Sequence, residues 1–182
     1  MSVLEVVHYG NPILKKKCSP VSVFSKLSDF IDDMFDTMYE EEGIGLAANQ
    51  VGVDMNLFVI DISHTDDNEF PRIFINGEII SSEGECVFSE GCLSIPQVAL
   101  DVTRPEKIAF KYQDILEKWH EEEFEGLLAR AIQHEVDHLN GVLIIDLVSE
   151  MQKAIVSQEV KKIKKDSEAK LKQQSIAKGF VL

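Results

Sequence analysis

Two histidines four residues apart, with a glutamate directly after the first, are the strongest chemical signal in the chain. They lie in the run Gln133-His-Glu-Val-Asp-His138. Positions four apart are neighbours on one face of a helix, so His134 and His138 can direct imidazole nitrogens at one metal ion. Glu135 can then reach a water on that ion without being a ligand. The pattern predicts a helix that carries a catalytic metal site.

Such a site needs a third protein ligand and one open position. One protease pattern has a further His six residues after the second, but the chain has Ile144 there. A later glutamate, Glu150 or Glu159, is one remaining donor and would make the protein a metalloprotease. The other is Cys92, because a thiol beside a divalent cation is deprotonated at neutral pH. Gly91, just before it, is expected to let the backbone approach another group closely.

Three segments of the chain combine glycines with polar residues, and two of them include the candidate metal ligands. They are Gly43-Ile-Gly-Leu-Ala-Ala-Asn-Gln50, Glu90-Gly-Cys-Leu-Ser94 and Gln133-His-Glu-Val-Asp-His-Leu-Asn-Gly141. In this order and at these separations, they resemble the signature motifs of the peptide deformylases, in the short bacterial form without large insertions. The resemblance implies a hydrolase that removes the formyl group from the N-terminal formyl-methionine of newly made polypeptides, giving formate and a free N-terminus.

The resemblance also implies the ligand set and the ion. Cys92, His134 and His138 become the metal ligands, and a water takes the fourth position. Two neutral imidazoles and one thiolate leave one net positive charge on a divalent ion, which still lowers the pKa of a bound water. The family implies one Fe²⁺ per chain, with Zn²⁺ or Ni²⁺ in some preparations. The donor types alone suit all three ions.

Three further residues receive catalytic roles from the resemblance. The side-chain amide of Gln50 and the backbone N–H of Leu93 are expected to stabilise the oxyanion that forms when water attacks the formyl carbon. Glu135 is expected to take the proton from the water and pass it to the leaving amine.

Substrate specificity should depend on an apolar pocket for the methionine side chain, with His134 at its inner end. Backbone groups around Gly45 are candidates to pair with an extended peptide, as an added strand would. The side chains expected to line the pocket by position are Ile44, Phe88, Leu127 and Ala131.

Other positions resemble or depart from the family pattern. Glu90 and Arg104 are expected to form a supporting ion pair. Arg130 stands where some members have an apolar residue, so we expect either a more polar pocket rim or one that holds acidic peptides. The stretch 113–118 lacks the glycine turn common in the family. Cys18 and Cys86 are expected to be buried small hydrophobic residues.

The elements that must position these residues follow from apolar periodicity. The pattern predicts helices over about Ser25–Glu42, ended by Gly43, and about Glu125–Asn140, ended by Gly141. A third helix, over about Ser149–Gln174, carries a thin stripe of Met151, Ile155, Val160 and Ile163. The order helix, several strands, helix indicates an α+β fold, with small mixed or antiparallel sheets packed around the central histidine-bearing helix and a C-terminal helix. Short β-rich runs are at Leu57–Asp61, Arg72–Ile75, Ile79–Ser81, Lys107–Tyr112 and Trp119–Phe124.

Composition limits the class of protein. The 182 residues fit one domain, 1–182, and 45% hydrophobic residues can supply its core. No apolar run approaches the ~20 residues that span a bilayer, so no membrane partner is expected. The first ten residues do not read as a secretory signal, and three cysteines fit a reducing compartment. We therefore expect a cytoplasmic protein.

The charge is unevenly distributed. The net charge is −14, yet residues 153–182 carry eight lysines against three acidic residues. The acidic body should repel nucleic acid, so no DNA partner is expected, whereas the basic helix, about 149–175, could dock on the ribosome, which is largely RNA. The same charge pattern leaves a second alternative, an RNA-binding module with a structural metal closed by four protein ligands.

Overall fold

The fold is built from four α-helices and seven β-strands within residues 2–179, which the computed structural model describes, with side chains through residue 174. The predicted α+β class is confirmed. Within the described residues, no helix is both long and apolar enough to cross a membrane. The helices are α1 (Leu27–Glu40), α2 (Gly126–Leu139), α3 (Glu150–Ile155) and α4 (Ser157–Gly179). The strands are β1 (Gly45–Ala47), β2 (Leu57–Ile60), β3 (Arg72–Glu83), β4 (Cys86–Gly91), β5 (Ala99–Arg104), β6 (Lys107–Gln113) and β7 (Trp119–Glu125).

Two antiparallel sheets frame the histidine-bearing helix. Five strands pair in the order β1-β2-β3-β6-β7, and β4 pairs with β5 in a separate hairpin. The sequence divides β3 into two runs, but it is one strand whose register shifts between Ile75 and Glu78 and again between Ile79 and Ser81. β1 lies at one edge of the five-stranded sheet, so its outer side faces away from β2.

The first helix covers one face of the five-stranded sheet. Its apolar stripe, predicted from the spacing of three and four, buries Leu27, Ile31, Met34 and Met38 against sheet residues such as Leu57. The helix ends at Glu40, and the left-handed residue that turns the chain is Glu42, with φ 55°, not the expected Gly43.

The second helix packs on the opposite face. Leu128, Ile132 and Leu139 lie in a core cluster with Phe58 and Phe74 of the sheet. The predicted end at Gly141 is confirmed: its φ is +76°, and its N–H donates to the carbonyl oxygen of the second histidine of the motif. This face of the sheet therefore fixes the helix that carries the two histidines.

The predicted third helix is two helices. Val156 has φ −99° and ψ 9°, which ends α3, and α4 then begins at Ser157. Val160 and Ile163 pack against the core cluster beneath the β4–β5 hairpin, as the apolar stripe predicts. Met151 and Ile155 are 76% and 74% exposed, so their assignment to that stripe is wrong. The break at Val156 explains why one continuous stripe does not form.

The turn between β6 and β7 forms without glycine. The Asp114 carboxylate accepts the N–H groups of Leu116 at 2.8 Å and Lys118 at 3.0 Å. Glu117 adopts a φ of 65°, the left-handed conformation that glycine usually supplies. The acidic side chain at the start of the turn thus replaces the missing glycine as its organiser.

Candidate metal centre and active site

Three metal-ligating side chains converge where the β4–β5 hairpin meets α2. Cys92 directly follows β4, and His134 and His138 lie one turn apart on α2. One donor atom from each lies within 4.8 Å of the other two, and Cys92 Sγ is 3.2 Å from His138 Nε2. A thiolate and two imidazoles are ligands that Zn²⁺, Fe²⁺ and Ni²⁺ all accept, so these residues fit a bound divalent ion.

A hydrogen bond orients one histidine, and burial keeps the other neutral. His134 Nδ1 lies 3.1 Å from Glu90 Oε2. A carboxylate only accepts, so Nδ1 carries the hydrogen and the lone pair of Nε2 is left for the ion. His138 is 1% exposed, and burial lowers its pKa well below the usual value, which favours the neutral imidazole.

The Glu90 carboxylate is the centre of a buried charge network. Arg104 donates to both of its oxygens, at 2.7 and 3.0 Å, and so forms the expected ion pair with Glu90. Arg104 also donates to the Asp137 carboxylate at 2.7 Å. Burial alone would raise the pKa of Glu90, but hydrogen bonds from His134 and Arg104 outweigh it and lower the pKa to about 2. Glu90 is therefore ionised throughout the neutral range.

Glu135 lies beside the three donors without belonging to them. It is 3% exposed, and its Oε2 atom is buried with no hydrogen-bond partner among the described residues. Burial raises its pKa to about 7. A Cβ built on Gly45 would stand 2.5 Å from Glu135 Oε1, so only glycine at this position leaves room for the carboxylate. Gly91 does not play such a part: a Cβ there meets only Val98 O, at 3.9 Å, and the expected close approach is wrong.

Gln50 presents its amide nitrogen to the same space. It is 1% exposed, and its Oε1 accepts the backbone N–H of Ala47 at 2.9 Å, which fixes the orientation of the amide. Nε2 is then 3.3 Å from Ser94 Oγ and 3.9 Å from Cys92 Sγ. The amide N–H groups consequently point toward the metal centre.

These groups open into a cavity of about 1120 Å³. Phe88 and Leu127 stand at its exposed wall, and Ala131 is buried within it. Exposed acidic residues, Glu41 and Glu42 among them, line its mouth. The sequence-predicted residues that line this cavity are Ile44, Gly45, Gln50, Phe88, Cys92, Leu93, Leu127, Ala131, His134 and Glu135.

Several expectations from the sequence are corrected here. The Arg130 guanidinium is buried and bonded to Glu90 and to Cys86, so it cannot hold an acidic peptide at the rim. Glu150 and Glu159 are exposed, outside the group of donors, which removes the metalloprotease ligand set. Cys18 is buried as expected, whereas Cys86 is partly exposed.

A buried unpaired carboxylate beside a cysteine and two histidines defines, together with this fold, a metal-dependent hydrolase of the H-E-x-x-H kind. The group of three protein donors within the described residues leaves room for a water, unlike a closed structural site.

Comparison with known proteins identifies the family. The model of the polypeptide deformylase family matches residues 3–154. The peptide deformylase of Chromobacterium violaceum is 46% identical over 168 residues, covering 92% of this chain and 99% of that protein. The crystal structure of a peptide deformylase from Legionella pneumophila superimposes with a TM-score of 0.82 at 41% identity, over 90% of this chain and 96% of that one. The crystal structure of the peptide deformylase from Thermus thermophilus gives a TM-score of 0.85 at 34% identity, over 90% and 99%.

The chain belongs to the polypeptide deformylase family. Its function is the metal-dependent removal of the formyl group from newly made polypeptides, as the three motifs predict.

Proposed function

We propose that the cavity between the β4–β5 hairpin and α2 is the active site, where the chain deformylates peptides that begin with formyl-methionine. The observation that carries the proposal is the convergence of three metal donors within 4.8 Å beside a buried carboxylate oxygen of Glu135 that has no partner among the described residues. Burying such an oxygen is costly unless something fills the partner's place. A water to be activated has the required chemistry.

Cys92, His134 and His138 would hold one ion per chain, and we propose Fe²⁺, with Zn²⁺ or Ni²⁺ able to take its place. When bound, a divalent ion supplies Lewis acidity, lowering the pKa of water and polarising the formyl carbonyl. The protein's part is to orient the two imidazoles toward the ion. Glu90 orients His134 through Nδ1, and burial favours the neutral form of His138.

Glu135 moves the proton. Its pKa of about 7 lets it accept a proton from the attacking water near neutral pH and release it to the leaving amine nitrogen. Because its carboxylate is packed against Gly45 and is not among the three donors, it stays free for this transfer.

We expect two donors to stabilise the negative charge on the formyl oxygen. The Gln50 amide is aligned before the reaction because Ala47 holds its oxygen. Leu93, whose backbone N–H is the second donor, lines the same cavity. Loss of one such preorganised donor typically costs on the order of 3 kcal/mol of barrier.

The methionine side chain would lie among the apolar residues of the cavity. Ala131 lies on α2 about one turn before His134, and Leu127 lies a further turn toward the helix start. Phe88 and Ile44 supply the remaining apolar wall. The peptide backbone would add along the outer side of β1 at Gly45, because β1 is an edge strand.

We further propose that the enzyme works in the cytoplasm and meets nascent chains by docking its C-terminal helix on ribosomal RNA. Lys161, Lys162, Lys165 and Lys172 are exposed on α4. Lys170 is instead ion-paired with Glu5 on the body of the protein. Exposed lysines bind phosphates by releasing counterions, so this docking would weaken as salt rises.

The test is formate release. The iron-loaded chain, kept free of oxygen, is incubated with formyl-Met-Ala-Ser, and formate and free amine are measured; formyl-Asp-Ala-Ser is the matched control for the apolar pocket. We expect rapid release from the first peptide and little from the second. A folded, metal-loaded sample that releases no formate would refute the proposed function.

A further inference from the structure

The buried guanidinium of Arg130 has no part in the chemistry described so far. Arg130 lies on α2, one helical turn before His134, and is 7% exposed. Its Nη1 donates to Glu90 Oε1 at 2.5 Å and to Val102 O at 3.1 Å. Its Nη2 donates to Cys86 O at 2.9 Å and lies 3.0 Å from Cys86 Sγ. The side chain is thus tied to both strands of the β4–β5 hairpin.

Glu90 has two arginines on one side and a metal ligand on the other. Its Oε1 accepts from Arg104 and Arg130, and its Oε2 accepts from Arg104 and from His134 Nδ1. Arg104 binds both carboxylate oxygens from the hairpin, whereas Arg130 binds Glu90 from the helix that carries His134. Arg130 therefore ties the carboxylate and the histidine to one rigid element.

Charge balance depends on the same residue. The network contains two carboxylates, the buried Glu90 and the partly exposed Asp137, and two guanidiniums, Arg104 and Arg130. Its formal charges cancel. Removing one partner of such a network leaves a buried charge without compensation, which is far more costly than replacing the whole set. Loss of Arg130 is therefore expected to shift the Glu90 carboxylate and, with it, the ring of His134 that is hydrogen-bonded to Glu90.

We propose that Arg130 is a positioning residue for the metal centre: acting through Glu90, it fixes the ring of His134 so that Nε2 faces the ion. The inference rests on the proposed role of His134 as a ligand. Residues that orient a metal-bound histidine typically change metal affinity by about 10-fold or more when they are lost.

The test measures metal binding without any substrate. The affinity of the chain for Co²⁺ is determined by competition with a chelator, and the Co²⁺ absorption spectrum reports the ligand geometry. Arg130→Met should bind Co²⁺ about 10-fold more weakly or worse and shift the visible bands, and Arg130→Lys should recover part of the affinity. Arg72→Met is the matched control: Arg72 is also partly buried, paired with Glu69 and stacked on Phe124, but outside the group of donors. It should bind Co²⁺ like the wild type.

A double-mutant cycle tests the route through Glu90. In the Glu90→Gln background, Arg130→Met should cause little further loss of affinity. A loss as large as in the wild-type background would overturn the proposal, as would a folded Arg130→Met protein with unchanged affinity and spectrum. If Arg130→Met does not fold, Arg130→Lys decides: wild-type affinity and spectrum in a folded Arg130→Lys protein would overturn the proposal.

The result is separable from the proposed function. A wild-type chain that binds Co²⁺ but releases no formate would remove the deformylation assignment while leaving the role of Arg130 testable by the same titration. A wild-type chain that binds no Co²⁺ would remove both.

Discussion

Replacing Gly45 by alanine tests the placement of Glu135. A Cβ at this position would stand 2.5 Å from Glu135 Oε1, whereas ordinary contact begins at 3.4 Å, so the carboxylate or β1 must shift by roughly 0.9 Å. Both groups are buried, so neither can relieve the close contact by turning out into solvent. A misplacement of about 1 Å in a catalytic group can reduce the rate on the order of 100-fold. We expect kcat/KM of Gly45→Ala to fall to that extent while the metal stays bound.

The assay measures formate release from formyl-Met-Ala-Ser together with metal content and thermal unfolding. Gly91→Ala is the matched control, because Gly91 adjoins the metal ligand Cys92 and an added Cβ there meets only Val98 O at 3.9 Å. It should retain near wild-type activity. A Gly45→Ala enzyme with wild-type kcat/KM would refute the reasoning, because it would mean that the position of Glu135 against β1 does not matter for the reaction.

Three further predictions concern oxidation, acid and the ribosome. The iron form should lose activity under peroxide, since Fe²⁺ and the thiolate of Cys92 are both oxidisable; full activity with iron verified in place would contradict this. Since the pKa of Glu90 is about 2 in the fold against 4.5 unperturbed, its ionised form stabilises the protein above pH 4.5 and this stability is lost as pH falls through 2. The difference in unfolding free energy between wild type and Glu90→Gln should therefore shrink over that window, and a constant difference would argue against it. Replacing Lys161, Lys162 and Lys165 by Gln should abolish co-sedimentation with ribosomes at low salt and leave turnover of the short peptide unchanged; unchanged sedimentation would return these lysines to an ordinary solvated surface.

The two helices that frame the sheet can be predicted because each buries one continuous stripe. Leu27, Ile31 and Met34 repeat at helical spacing, and so do Leu128 and Ile132. The spacing of the histidines on the second helix follows from the same period. A local pattern is sufficient wherever one face of one element determines the structure.

Three strands are not predicted from the sequence, because their residues contribute to the site as well as to the sheet. β1 consists of Gly45–Ala47, which is too short to show alternation. β4 and β5 contain Glu90 and Arg104, charged residues that face inward because they pair with each other. A charged residue at an inward position conceals the period of two, and its partner lies on another strand.

The charge network around Glu90 could not be predicted from the sequence either. Arg130 is four residues before His134, but its partner lies on the neighbouring hairpin, so the direction of its guanidinium depends on tertiary packing. From the sequence it reads as a polar residue at the pocket rim. The same holds for Gly45, whose need for glycine arises from a helix 90 residues further along the chain.

The most direct test of the account compares Glu135→Gln with Cys92→Ser in two measurements on the same samples: bound iron per chain and the initial rate of formate release. Glu135→Gln should keep one ion per chain while kcat falls about 100-fold or more, because Glu135 transfers protons and is not a ligand. Cys92→Ser should lose the ion and the activity together, because it removes a donor. A Glu135→Gln protein without iron, or a Cys92→Ser protein that keeps both iron and wild-type activity, would contradict the assignment of these residues.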